Sequence, residues 1–140
     1  MDAGFIALFG SIAVVGILIF VAILLTSKRN YVFDKEKYQT DFLIIENSLS
    51  RDDPASYNMS VVDADKLLDR ALCEMGVSGK TMGERLKSSG KEKFKHLDSV
   101  WRVHKLRNQI AHETGFRLDY GQAKRALVIY RQALIDLGAI

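Results

Sequence analysis

Leu106-Arg107-Asn108-Gln109-Ile110-Ala111-His112-Glu113, followed by Thr114-Gly115, is the stretch on which the fold turns. It closes a helical pattern that begins near Lys91 and carries Phe94, Leu97, Val100, Trp101, Val103, Leu106 and Ile110. Apolar residues at such spacings line one face of a helix, and Gly115 suits the position just past a helix end. The same stretch holds two chemical groups. Arg107 is an always-charged planar donor that can hold a phosphate, and His112 is an imidazole that can move a proton near neutral pH.

Around an unbroken helix Arg107 and His112 are about 140° apart, at about 100° per residue. They do not share the centre of one face. His104, Asn108 and His112, spaced by four, do line up, and Arg107 flanks them three residues after His104. This stripe continues the direction of the apolar Leu97 and Trp101, so it faces inward or towards a partner. Polar groups in such a place need hydrogen bonds. A two-fold axis beside the helix would bring Arg107 and His112 of two chains around a shared groove, which makes a homodimer the expected assembly.

Upstream of this helix the charge changes sign. From Lys80 to Arg107 there are 9 basic and 3 acidic residues, whereas Asp34 to Gly79 holds 5 basic and 10 acidic ones. A basic block of this kind favours polyanions such as RNA, or an anionic membrane surface. Within it, Gly79-Lys80-Thr81 has the ending of a nucleotide-binding loop, but the first glycine of that loop would fall at Glu74, and a helix precedes it where a strand is required. Thr81 is instead expected to cap a short helix through Leu86.

Further upstream, a helix from Asp34 buries Tyr38, Phe42, Ile45 and Leu49, and the segment around Pro54 breaks it. A second helix is expected from near Ser60, with Asp63 at its third position, burying Ala64, Leu67, Leu68, Ala71, Leu72 and Met75 before Gly76. Cys73, the single cysteine, reads as a buried structural thiol. Downstream, Asp119 and Gln122 form a capping pair for a last helix with Ala123, Leu127, Tyr130, Leu134 and Leu137 inward. No segment alternates with period two, and no Cys/His cluster has zinc spacing.

Phe5 to Leu25 carries no charge and is long enough, as a helix, for the roughly 30 Å hydrocarbon layer. A cleaved signal peptide would need a basic leader and a small-residue cleavage site, and neither is present. Lys28 and Arg29 follow the run and Asp2 precedes it, so the positive-inside rule places the N-terminus outside and the remainder in the cytoplasm, at the cell membrane. The expected organisation is therefore all-α. A single transmembrane helix (1–27) and a juxtamembrane linker (28–33), in which Tyr31, Val32 and Phe33 form an interfacial collar, precede an up-and-down four-helix bundle with one short extra helix (34–140).

The motif Arg107-Asn108-Gln109-Ile110-Ala111-His112, with Leu106 before it and Glu113 after it, resembles the Arg-x4-6-His motif of HEPN domains. The likeness extends over roughly residues 34 to 140 by helix pattern and is specific in this octapeptide. That family is all-helical, and its catalytic members are metal-independent ribonucleases whose sites are commonly composed at a dimer interface. The resemblance implies that Arg107 clamps a phosphate and stabilises charge on its oxygens. His112 would be the general acid or base in attack by a ribose 2′-hydroxyl on the adjacent phosphorus. Asn108 would orient the imidazole or a phosphate oxygen. His104, which the motif does not cover, and Arg102 and Lys105 of the basic block are expected to contact the substrate. No metal or cofactor is implied, and the products would carry a cyclic phosphate.

The leading expectation is thus a membrane-anchored endoribonuclease acting in stress or defence. A tethered nuclease needs restraint, so an antitoxin-like regulator is an expected partner. The family also contains members that bind nucleotides or scaffold, which gives the alternative of a non-catalytic, membrane-tethered module for RNA, a nucleotide or a protein. A third reading docks Lys80 to Lys105 on anionic lipid. Against all three, Arg107 and His112 also suit the negative end of a helix dipole.

Overall fold

The computed structural model describes residues 3–26 and 31–140, with side chains over 9–23 and 31–140. The chain divides into two compact units, Met1–Asn30 and Tyr31–Ile140. In the first, α1 (Ala3–Thr26) is a 24-residue helix with no acidic residue in its first turn and no basic one in its last. Its described side chains are exposed, among them Phe9, Ile12, Ile17, Leu18 and Phe20. They cover about 22 Å of helix against the roughly 30 Å of a hydrocarbon layer. Among the described residues no helix is long and apolar enough to cross a membrane. The other side chains of the Phe5 to Leu25 run, and the flanking Asp2, Lys28 and Arg29, lie outside the described residues.

The second unit is a helical bundle, and among the described residues there is no strand. It comprises α2 (Lys35–Ser48), α3 (Ala55–Glu74), α4 (Met82–Ser89), a 3-10 turn at Lys91–Lys93, α5 (Leu97–His112) and α6 (Tyr120–Asp136). α3 is central: it packs against α2, α4, α5 and α6. Its apolar face, Val61, Ala64, Leu68, Ala71 and Leu72, is entirely buried, and Tyr38 and Phe42 of α2 meet the same core. From the other side come Val100 and Val103 of α5 and Leu127, Tyr130 and Leu134 of α6.

Several local expectations are corrected. α3 starts at Ala55, five residues ahead of Ser60, because Pro54 sits at φ −60°, the angle that suits a helix start, and Asp53 Oδ1 accepts from the Ala55 amide at 3.0 Å. Ser60 is a buried interior residue, and Asp63 pairs with Lys66 on the surface. α5 starts at Leu97 and not at Lys91. Gly90, at φ 71°, ends α4, and Phe94 takes an extended conformation that buries its ring. The Lys95 amide, left outside any helix, donates to Asp136 Oδ2 at 2.8 Å. Cys73 is exposed, since its neighbours Ala71 and Leu72 take the inward positions of α3. Phe33 turns into the core, while Tyr31 donates to Glu74 at 3.0 Å and only Val32 of the expected collar is fully outside.

Candidate functional site

The last two turns of α5 form one wall of a groove of about 470 Å³. Residues of α3, among them Asp65 and Asp69, form the facing wall, and the start of α4 at Thr81 and Met82 closes one end. His104, Arg107, Asn108 and His112 all line it. The angular offset between Arg107 and His112 does not separate them, because the groove runs along the His104, Asn108 and His112 stripe and the long Arg107 side chain bends towards α3. Arg102 and Lys105 are not brought in. Arg102 donates to Ser99 Oγ of its own helix at 2.7 Å, and Lys105 is exposed away from the groove.

Position 65 has no candidate role in the sequence, yet Asp65 is the centre of the site. Its carboxylate is almost completely buried. Oδ1 lies 2.8 Å from His104 Nδ1 and accepts from the Tyr130 hydroxyl at 3.0 Å. Oδ2 lies 3.5 Å from Arg107 Nε, an ion pair in which that buried nitrogen has no formed hydrogen bond. A buried carboxylate without such partners would be strongly destabilising. Burial pushes the Tyr130 hydroxyl far up from its ordinary range, and the charge of Asp65 pushes it the same way, so the phenol stays protonated and donates. Asp65 therefore ties α3 to both α5 and α6.

Arg107 is also held from its own helix. Its Nη1 donates to Asn108 Oδ1 at 3.3 Å, and Asn108 Nδ2 lies 3.4 Å from His104 Nε2. Its side chain is 29% exposed, which leaves the guanidinium reachable from the groove while one edge stays anchored. His104 is buried, with Trp101 edge-on to its ring at 6.1 Å, and it does not present a free ring nitrogen to solvent. His112, one turn past Asn108, is exposed at the helix end and free to meet a ligand. The groove thus offers an anchored guanidinium and an exposed imidazole on one wall. Among the described residues no cluster of His, Cys, Asp or Glu suits a metal ion.

The α4 wall is fixed by a two-point clamp. Arg85 Nε donates to Asp69 Oδ1 at 2.7 Å and Nη2 to Oδ2 at 3.0 Å, and this pairing with Asp69 raises the guanidinium's already high pKa. Thr81 caps α4 as expected, its Oγ1 accepting from the Glu84 amide at 3.2 Å, although the helix runs on to Ser89. Signals for the missing residues exist in the sequence. Val61, Asp65, Leu68 and Leu72 are spaced by four, three and four, so a carboxylate stands on the apolar stripe of α3. Tyr130 stands on the apolar stripe of α6 with a hydroxyl that needs a partner. No family model, curated protein or solved structure matches the chain.

Proposed function

We propose that the chain is a membrane-anchored, HEPN-like endoribonuclease whose groove between α3 and α5 cleaves RNA without a metal. The observation that carries this reading is the convergence of Arg107, Asn108 and His112 on one groove, with Arg107 anchored at one edge by Asp65 and open at the other. A guanidinium held in this way can take a phosphate oxygen and stabilise the charge that grows on it in the transition state. His112 can accept the proton of a ribose 2′-hydroxyl or return one to the leaving 5′ oxygen. Attack of the 2′ oxygen on phosphorus forms a P–O bond as the P–O5′ bond breaks, leaving a 2′,3′-cyclic phosphate.

Anchoring is supported by α1, a helix with no charged residue whose described apolar side chains are exposed. The basic Lys80 to Arg107 block would hold the RNA chain beside the groove. The full chain in detergent micelles, freed of metal with EDTA, is expected to cut single-stranded RNA into products ending in cyclic phosphate. Intact RNA, or products ending in a 3′-hydroxyl, would overturn the reading.

One observation favours the binding module instead. Part of the charge of Arg107 is already answered by Asp65, which suits holding a phosphate more than stabilising a transition state. That reading expects RNA or a nucleotide to bind the full chain with Arg107-dependent affinity and to be recovered uncut.

A further inference from the structure

The hydrogen-bond partners of the groove point to a place for the proton of His104. Arg107 has donors only. The Asn108 atom facing its Nη1 at 3.3 Å must therefore be the carbonyl oxygen, which turns the Asn108 NH2 towards His104 Nε2 at 3.4 Å. In a neutral ring, a nitrogen facing an NH2 group accepts, which leaves Nε2 bare and puts the ring proton on Nδ1. There it points at Asp65 Oδ1, 2.8 Å away. The same oxygen accepts from Tyr130, and the other one faces Arg107 Nε. From α4, Gly83 faces the ring, and a Cβ added there would lie 3.6 Å from His104 Nε2.

We propose that Asp65 is a positioning residue of the groove: it fixes the His104 proton on Nδ1, and through the bare Nε2 it fixes the Asn108 amide that aims Arg107. The proposal rests on the reading of Arg107 as the phosphate clamp. One carboxylate then acts on the clamp twice, on its guanidinium directly through Oδ2 and on the neighbouring Asn108 amide through the imidazole. An amide in its place could keep an acceptor towards His104 only by turning its NH2 against Arg107 Nε, donor against donor. It could keep an acceptor towards Arg107 only by turning that NH2 against the His104 and Tyr130 protons. Either way one arm of the arrangement is lost, although the volume of the side chain is unchanged.

The chain has three histidines, so selective 15N labelling of the full chain in micelles resolves each ring by long-range proton-nitrogen spectra. Wild-type His104 is expected to show a protonated Nδ1 and a bare Nε2 at neutral pH. Asp65→Asn is expected to mix or invert this tautomer and to lower kcat/KM for RNA about 10- to 100-fold, the size of a lost hydrogen bond to a charged group. Asp65→Glu should restore part of both. If Asp65→Asn does not fold, Asn108→Ala decides the point, because it removes the donor at Nε2 and should leave the Nδ1 tautomer in place. A wild-type His104 protonated on Nε2, or an Asn108→Ala chain whose tautomer inverts, would overturn the proposal. RNA left uncut by a wild-type chain with the expected tautomer counts against the nuclease reading alone. Normal cleavage by Asp65→Asn counts against the positioning role alone.

Discussion

Tyr38 and Tyr130 are buried phenols that each donate to a carboxylate, Tyr38 to Glu74 at 2.9 Å and Tyr130 to Asp65 at 3.0 Å. Burial, reinforced by the Glu74 hydrogen bond, pushes Tyr38 up to about 12. The folded state thus keeps a proton that the unfolded chain loses near pH 10. The stability this contributes is whole below pH 10 and is lost as pH rises through about 12. Denaturant unfolding followed from pH 9 to 12 is expected to show falling stability, with a shallower fall in Tyr38→Phe. At Gly83, where an added Cβ meets His104 and Trp101 at ordinary contact distances, Gly83→Ala is expected to be neutral or to stabilise by up to about 1 kcal/mol, read by chemical denaturation. The motif residues were legible one by one from charge and spacing. Asp65 was not, because its role depends on what α5 and α6 bring to it, and spacing along α3 shows only that it points inward. The exposure of Cys73 is not legible either, because apolar character does not show burial at a position just off the inward stripe.

The helices were legible where their ends carry chemistry of their own. The capping box of Asp119 and Gln122, with the Gln122 amide donating at 2.7 Å and the Asp119 amide at 2.9 Å, sets the start of α6 where the sequence places it. Asp119→Ala is expected to cost about 0.5–2 kcal/mol, measured as a shift in the urea midpoint. The start of α5 was not legible, because Lys91 to His96 has helical composition. What breaks it is tertiary: the burial of Phe94 and the Lys95 to Asp136 bond. The segment around Pro54 separates α2 from α3 as the sequence indicates, and the fixed φ of Pro54 also starts α3. The connection into α4 depends on Gly79 at φ 145°, where a Cβ would lie 2.7 Å from the Arg85 amide nitrogen. Gly79→Ala is expected to destabilise by about 1–3 kcal/mol and to loosen the Arg85 clamp on Asp69, which thermal unfolding of the variant would register.

For the molecule as a whole, the absence of period-two patterning was enough to make the described chain all-helical. The central place of α3 was not legible, because amphipathic spacing gives the width of a buried face and not which helices cover it. Arg107, Asn108 and His112 line one groove of one chain, and from this we propose that each working site takes all three from the same chain, whether or not the chain dimerises. If RNA is cut, mixing Arg107→Ala with His112→Ala chains is expected to leave cleavage lost, whereas recovery on mixing would place the two residues of each working site on different chains. The central claim is that His112 moves the proton while Arg107 holds the phosphate. It is tested most directly by the rate at which the full chain cuts RNA in EDTA, wild type against His112→Ala. A fall of about 10²- to 10⁴-fold with unchanged folding is expected; equal rates would contradict it.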